Sequence, residues 1–87
     1  MSAATPLPSG TVDDPVVVDA RGLSCPMPVI ELAKAVEAHP VGTRLRLLAT
    51  DPTAKVDVPV WCRMQRQLLH AQYLDEHVWR FEVERVR

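Results

Sequence analysis

A cysteine placed directly before two prolines is the residue of this chain best suited to chemistry. Cys25 precedes Pro26 and Pro28, and a run with apolar residues at helical spacing follows them. Proline fits the first turn of a helix, where its missing N–H would have no intrahelical partner. We therefore expect both prolines in the first helical turn and Cys25 at or just before the N-cap. Because a helix N-terminus favours a negative charge, we expect a lowered pKa and a nucleophilic sulfur at Cys25.

The other candidate groups for chemistry are a second thiol and three histidines. Cys62 lies in the middle of a predicted helix, beside its apolar stripe, and is interpreted as a structural cysteine. The alternative is a resolving thiol, which requires the Cα atoms of Cys25 and Cys62 to lie within about 7 Å. His39, His70 and His77 fall at the ends of predicted elements. None of them is spaced to serve as the base of a Cys-His pair.

Polar residues around the cysteine have two interpretations each. Asp19 ends a short strand and either stabilises the following turn or helps to shape the thiol pocket. Gly22 allows the backbone to turn tightly between that strand and the helix. Arg21, Arg44 and Arg46 are most simply solvated, and a basic rim around the thiol is the alternative.

Composition limits the classes of function. The chain has 87 residues, 47% of them hydrophobic, and a net charge of −1, which disfavours a dedicated nucleic-acid binder. Its beginning lacks the features of a secretory signal, and no apolar run is long enough to span a membrane. We therefore expect a cytoplasmic protein, in which two cysteines are more often free thiols than a disulfide. The spacing of Cys and His gives no zinc motif, and no metal or other cofactor is expected.

The elements that must position the cysteine read β-α-β-α-β-β. Residues 1–14 are rich in proline and are predicted to be a disordered tail, which leaves residues 15–87 as one domain. Right-handed crossovers place both helices on one face of a four-stranded mixed sheet, in a two-layer α/β (α+β) sandwich. The predicted elements after the tail are a strand at 16–18, the helix after Cys25, a strand at 43–50, a helical turn at 52–56, a helix at 58–69, and strands at 71–74 and 78–86.

Side-chain patterns assign the buried faces of these elements. In the second strand Leu45, Leu47 and Ala49 face the core, because they alternate with arginines. Asp51 and Pro52 are interpreted as a helix cap. The inward residues of the last helix and the last strand are predicted to be Trp61, Met64 and Leu68, and Trp79, Phe81 and Val83, respectively.

The motif around Cys25 also carries a resemblance to a known family. The chain resembles the TusA/SirA-like (YedF-like) sulfur carriers over residues 16–87, in the segments Asp19-x-x-Gly22-Leu23-x-Cys25-Pro26-x-Pro28, Asp51-Pro52 and Asp57-x-Pro59-x-x-Cys62. The chain differs from the family by its proline-rich extension and by Met27 between the prolines. Both differences leave the thiol unchanged and bear on the choice of partner.

The resemblance implies a carrier that holds sulfane sulfur as a persulfide on Cys25. It implies a cysteine desulfurase as donor and a DsrE-type relay protein as acceptor, in a pathway such as tRNA thiolation, with no direct contact to nucleic acid or membrane. A persulfide sulfur carrier of this kind is expected, rather than a free-standing turnover enzyme. The alternative is a redox-responsive regulatory or protein-interaction module without sulfur transfer.

Overall fold

The computed structural model describes residues 10–87. They form one mixed sheet of four strands, in the order β1-β2-β4-β3, and two helices. The first two strands pair in parallel, and the other pairs are antiparallel. The elements in chain order are β1 (Val16–Ala20), α1 (Met27–Glu37), β2 (Arg44–Ala49), α2 (Ala54–Gln65), β3 (Leu68–Asp75) and β4 (Val78–Glu84).

Both helices pack on the same face of the sheet, and the core lies between them and the sheet. This arrangement confirms the two-layer sandwich with β-α-β-α-β-β order. The inward alternation in β2 and β4 is confirmed as well, because Leu45, Leu47, Phe81 and Val83 are all fully buried. Trp79 is partly buried and stacks on Phe81. Within residues 10–87, neither helix is long and apolar enough to cross a bilayer.

The second helix differs from the prediction. A helical turn at 52–56 followed by a separate helix at 58–69 was expected, but α2 is one helix that contains Pro59. Its buried residues are Ala54, Val58 and Cys62, spaced four apart. The predicted inward residues Met64 and Leu68 are exposed. The stripe was therefore wrong, although Trp61 does pack against the core.

The boundary between α2 and β3 was also predicted too late in the chain. Arg66 ends the helix in a left-handed conformation, with φ of 57°, and the Gln67 N–H returns to the Cys62 carbonyl at 2.9 Å. Glycine is the usual residue at such a helix end, and its absence hid the stop. As a result β3 begins at Leu68 rather than at residue 71.

The predicted tail, residues 1–14, overlaps the described residues at 10–14, where Gly10 lies against the sheet and residues 11–14 are exposed. Gly10 is buried, and its carbonyl accepts a hydrogen bond from the Arg44 N–H at 2.6 Å. Thr11 and Asp14 close a turn, with the Asp14 N–H donating to the Thr11 carbonyl at 3.2 Å. The domain boundary at residue 14 stays a prediction, and Gly10 lies close to the Thr43 side chain. The rest of the predicted tail, residues 1–9, lies outside the described residues.

Candidate functional site

Cys25 lies in the loop between β1 and α1, immediately before the helix. Pro26 is the N-cap residue and Pro28 is the second helical residue, so only Pro28 lies within the first turn. The Cys25–Pro26 peptide bond is cis. The Met27 N–H donates to the Ser24 carbonyl at 2.8 Å, which closes the loop around the cysteine. The thiol is exposed, at the position that the sequence predicted.

The turn before Cys25 is held by contacts at both of its ends. Gly22 has φ of 81°, in the region that favours glycine, and its N–H donates to Thr50 Oγ1 at 2.9 Å. The Leu23 N–H donates to the Ala20 carbonyl at 3.2 Å. Because β1 and β2 are parallel neighbours, the loops after their carboxyl ends lie side by side, and Thr50 joins them. Gly22 therefore fixes the path of the chain toward the thiol.

Asp19 stabilises the turn and makes no hydrogen bond with the thiol. Its carboxylate accepts hydrogen bonds from the backbone N–H and the guanidinium of Arg21, at 3.1, 2.8 and 2.8 Å. These contacts lower the pKa of Asp19 to about 2. Of its two interpretations, the structure supports the turn-stabilising one.

Two aspartates form the immediate polar surroundings of Cys25. Asp51, in the loop after β2, accepts a hydrogen bond from the Cys25 N–H at 2.7 Å through Oδ2. Its Oδ1 accepts from the Thr53 N–H and hydroxyl at 3.0 and 2.9 Å. The N-cap residue of α2 is Thr53, so Asp51 holds the residue at the start of the helix and is not itself the predicted cap. Asp57, in the first turn of α2, accepts a hydrogen bond from Cys25 Sγ at 2.9 Å through Oδ2.

The surroundings raise the pKa of the Cys25 thiol above its ordinary value. The hydrogen bond to Asp57 is the largest cause, and partial desolvation and the negative charges of Asp57 and Asp51 act in the same direction. The Thr53 hydroxyl acts the other way, but its proton is donated to Asp51. The expected lowering of this pKa by the helix terminus was therefore wrong, because the hydrogen bond to Asp57 and the charges of Asp57 and Asp51 outweigh the effect of the helix N-terminus.

An open apolar groove of about 280 Å³ begins at the thiol and runs between the two helices. Val60 and Met64 contribute exposed side chains, with 41% and 73% of their surface accessible. A larger cavity of about 370 Å³ lies elsewhere along the helices, and neither cysteine lines it. The groove at the thiol is lined by Cys25, Pro26, Val29, Asp57, Val60, Trp61 and Met64.

The remaining candidate residues do not join this site. Cys62 is 2% exposed and free, and burial raises its pKa to about 11. His39 contacts the Ala35 carbonyl, and His70 contacts Glu84. His77 lies in the turn between β3 and β4. Among residues 10–87, no group of three or more His, Cys, Asp or Glu side chains is arranged to hold a metal ion.

Two of the arginines that were considered for a basic rim make ion pairs outside the site. Arg21 pairs with Asp19, and Arg46 forms a bidentate ion pair with Glu82 on the open face of the sheet at 2.9 to 3.1 Å. The basic rim around the thiol is therefore not formed by these two residues.

Sequence reasoning did not assign Asp51 and Asp57 to the site. Asp51 was interpreted as a cap, and both Asp51 and Asp57 belonged to the family motif without a role at the thiol. A signal was available, because the carboxyl ends of adjacent parallel strands meet at one edge of a sheet. The loop after β2 and the start of α2 must therefore face the loop that carries Cys25.

Comparison with known proteins identifies the family of this chain. The family described as "Sulfurtransferase TusA" matches residues 16–85. A protein of Archaeoglobus fulgidus is 39% identical over 71 residues, 80% of this chain and 92% of the relative. "Sulfur carrier protein TusA" of Pseudomonas savastanoi pv. phaseolicola is 38% identical over 71 residues, 82% of each chain. The crystal structure of a SirA-like protein from Desulfitobacterium hafniense superposes on this chain with a TM-score of 0.71 and shows the same fold. The two sequences are 20% identical, and the match covers 83% of this chain and 99% of that one. The chain described here belongs to the TusA sulfurtransferase family.

Proposed function

We propose that this protein accepts a sulfane sulfur as a persulfide on Cys25 and passes it to a second protein. The observation that carries the proposal is the exposed Cys25 thiol at the mouth of an open groove, on a chain of the TusA family. The second thiol, Cys62, is buried and unsuited to exchange. Asp19, Gly22, Pro26 and Pro28 support the reaction by shaping the loop that presents the sulfur.

The surface around the thiol suits a protein partner better than a small substrate. A persulfide is discharged when another thiolate attacks its outer sulfur, so that sulfur must be reachable. The thiol lies in an open groove that Val60 and Met64 line with exposed apolar surface. Met27 and Ile30 of α1 are exposed as well. Exposed apolar patches of this kind are typical of protein contact sites.

The resemblance to the family supports particular partners. A cysteine desulfurase is the proposed donor, and a DsrE-type relay protein is the proposed acceptor, in a reducing cytoplasmic compartment. A pathway of tRNA thiolation is one end use that requires no contact between this chain and the nucleic acid.

The alternative function is a redox-responsive module without sulfur transfer. Redox-sensing cysteines are typically exposed thiols of low pKa, because the thiolate is the species that is oxidised. Cys25 is exposed, but its pKa is raised by Asp57 and Asp51. A raised pKa slows attack by Cys25 on an oxidant and on a donor persulfide alike, so the family match, and not the pKa, favours sulfur transfer.

Intact mass after incubation with a cysteine desulfurase and cysteine tests the proposal. We expect the native protein to gain the mass of one sulfur atom, and a reductant to reverse the gain. Cys25→Ser removes the acceptor sulfur and should abolish the gain without unfolding the chain, because the residue is exposed. Cys62→Ser is the matched control and should retain it. Sulfur acceptance by the Cys25→Ser protein would refute the assignment.

A further inference from the structure

The contact between Cys25 and Asp57 distinguishes the empty carrier from the loaded one. In the empty state the thiol proton lies between Cys25 Sγ and Asp57 Oδ2, at a separation of 2.9 Å. In a persulfide, Sγ is bonded to carbon and to the second sulfur and carries no proton. The hydrogen bond is therefore available only to the empty thiol.

Charge acts in the same direction as the hydrogen bond. A persulfide is a stronger acid than the parent thiol, so the loaded group is anionic in conditions where Cys25 itself is neutral. Asp57 and Asp51 are the ionisable groups whose charges raise the pKa of Cys25. A like charge within a few ångströms disfavours an anion. The negative charges of the two carboxylates therefore destabilise the anionic persulfide more than the neutral thiol.

The two aspartates are not equivalent in this respect. Asp51 accepts hydrogen bonds from the Cys25 N–H and from Thr53 through both of its oxygens, and none of these bonds involves the thiol proton. Among the described residues, the hydrogen bond of the Asp57 side chain is the one to the thiol. Asp57 is the residue whose contact changes when sulfur arrives.

We infer that Asp57 sets the sulfur-transfer equilibrium of Cys25, stabilising the empty thiol relative to the persulfide so that the carrier releases its sulfur readily. This inference rests on the proposed function of Cys25. The balanced exchange is Cys25–SH + R–S–S⁻ ⇌ Cys25–S–S⁻ + R–SH. The S–S bond of the donor breaks as the Cys25 Sγ–S bond forms, and the Cys25 proton passes to the departing donor sulfur. The donor thiol sulfur is reduced as Cys25 is oxidised to the same extent, so no external oxidant is needed.

Equilibration with glutathione and glutathione persulfide at a fixed ratio tests the inference. The loaded fraction is measured by intact mass after alkylation, at pH 8 and high ionic strength, which screens long-range charge effects on the donor. Asp57→Asn removes the charge and keeps a weaker acceptor, and Asp57→Ala removes both. We expect the ratio of loaded to empty protein to rise about tenfold in Asp57→Asn, and further in Asp57→Ala.

A matched control lies at the other end of α1. Glu37 is the last residue of that helix, about 15 Å along its axis from Met27 at 1.5 Å per residue. Glu37→Gln removes the same charge and should leave the loaded fraction unchanged. A second readout is the pH dependence of iodoacetamide alkylation at Cys25, whose midpoint should fall in Asp57→Asn toward the ordinary value of 9.0. A merely structural role for Asp57 would not shift this midpoint in that direction.

The outcomes separate the inference from the function on which it rests. If the native protein loads at Cys25 and the Asp57 variants load to the same or a smaller extent, the inference is overturned and the carrier function stands. If Cys25→Ser loads as well as the native protein, the carrier function itself is wrong. A rise in loading shared by Glu37→Gln would also overturn the inference, because it would report net charge alone.

Discussion

The Gln72 side chain of β3 donates a hydrogen bond to the Lys55 carbonyl of α2 at 3.1 Å. Lys55 is four residues before Pro59, and its carbonyl is the one that the missing proline N–H leaves without a helical partner. A side chain from the sheet thus supplies the donor that the helix lacks. This contact helps α2 to continue through a residue that usually ends a helix.

We expect Gln72→Leu to lower the free energy of unfolding by about 0.5–1 kcal/mol, at the lower end for a hydrogen bond because Gln72 is exposed. In a Pro59→Ala background the restored N–H satisfies Lys55, so the same substitution should cost less. A double-mutant cycle by urea denaturation measures this coupling and cancels differences in strand propensity. Equal losses in both backgrounds would show that Gln72 does not compensate for Pro59.

This contact explains why the sequence predicted the first half of the chain better than α2. The helix after Cys25 and the alternation in β2 depend on local patterns, and both were correct. The interpretation of α2 depended on Pro59, and its partner Gln72 is 17 residues from Lys55. A local pattern cannot report a donor that the sheet brings from so far along the chain.

The same limit applies to the site. Cys25 was identifiable from the prolines that follow it, and its place before the helix was predicted. The direction of its pKa shift was not, because Asp57 is 32 residues away and acts across the interface of loop and helix. The residues next to Cys25 predicted the helix terminus. The carboxylate contact, which has the larger effect on the pKa of Cys25, arises only in the folded chain.

Cys62 gives a second prediction, on stability and its dependence on pH. Cys62→Ser should cost about 1–3 kcal/mol, because it buries a hydroxyl in an apolar surrounding. Its pKa is raised to about 11 from 9.0, so the unfolded chain loses this proton first as the pH rises. The related stability is fully present below about pH 9 and is lost as the pH rises through 11, up to roughly 2–3 kcal/mol.

Chemical denaturation of the native protein and Cys62→Ala between pH 8 and pH 11 measures this effect. Groups other than Cys62 titrate equally in both proteins, so the difference between the two curves isolates Cys62. The native protein should show the steeper alkaline loss. The 2% exposure of Cys62 indicates that its thiol is desolvated, and parallel curves would contradict this.

Two glycines of similar conformation give a third prediction, on the segment before β1. Gly10 and Gly42 have φ of 97° and 96°, but a Cβ on Gly10 would lie 2.8 Å from Thr43 Cγ2, whereas one on Gly42 would meet open space. We expect Gly10→Ala to displace residues 10–14 and to expose the Arg44 N–H, which donates to the Gly10 carbonyl. Hydrogen exchange at Arg44 measures this loss of protection.

Gly42→Ala is the matched control for the cost of the backbone conformation alone. It should lower the free energy of unfolding by about 1–2 kcal/mol while Arg44 keeps its protection in the folded state. If Gly10→Ala leaves the Arg44 amide as protected as in the native protein, the packing of this segment on Thr43 does not depend on the absence of a side chain.

The last prediction is that transfer of sulfur from thiosulfate to cyanide by the isolated protein is slow. Both reactants are anions, and the charged groups that act on the Cys25 thiol are the carboxylates of Asp57 and Asp51. These carboxylates repel an anionic donor and also keep the attacking thiol protonated. The groove beside the thiol is apolar and open, so it supplies little to bind or polarise a small anion.

We expect a steady-state rate far below the ~10 per second of a typical enzyme, and a modest increase with salt, which screens the repulsion. Asp57→Asn should raise this slow rate, while Glu37→Gln, remote from the thiol, should not. Rapid turnover with thiosulfate by the native protein would identify a free-standing sulfurtransferase and contradict a carrier that exchanges sulfur through protein contacts.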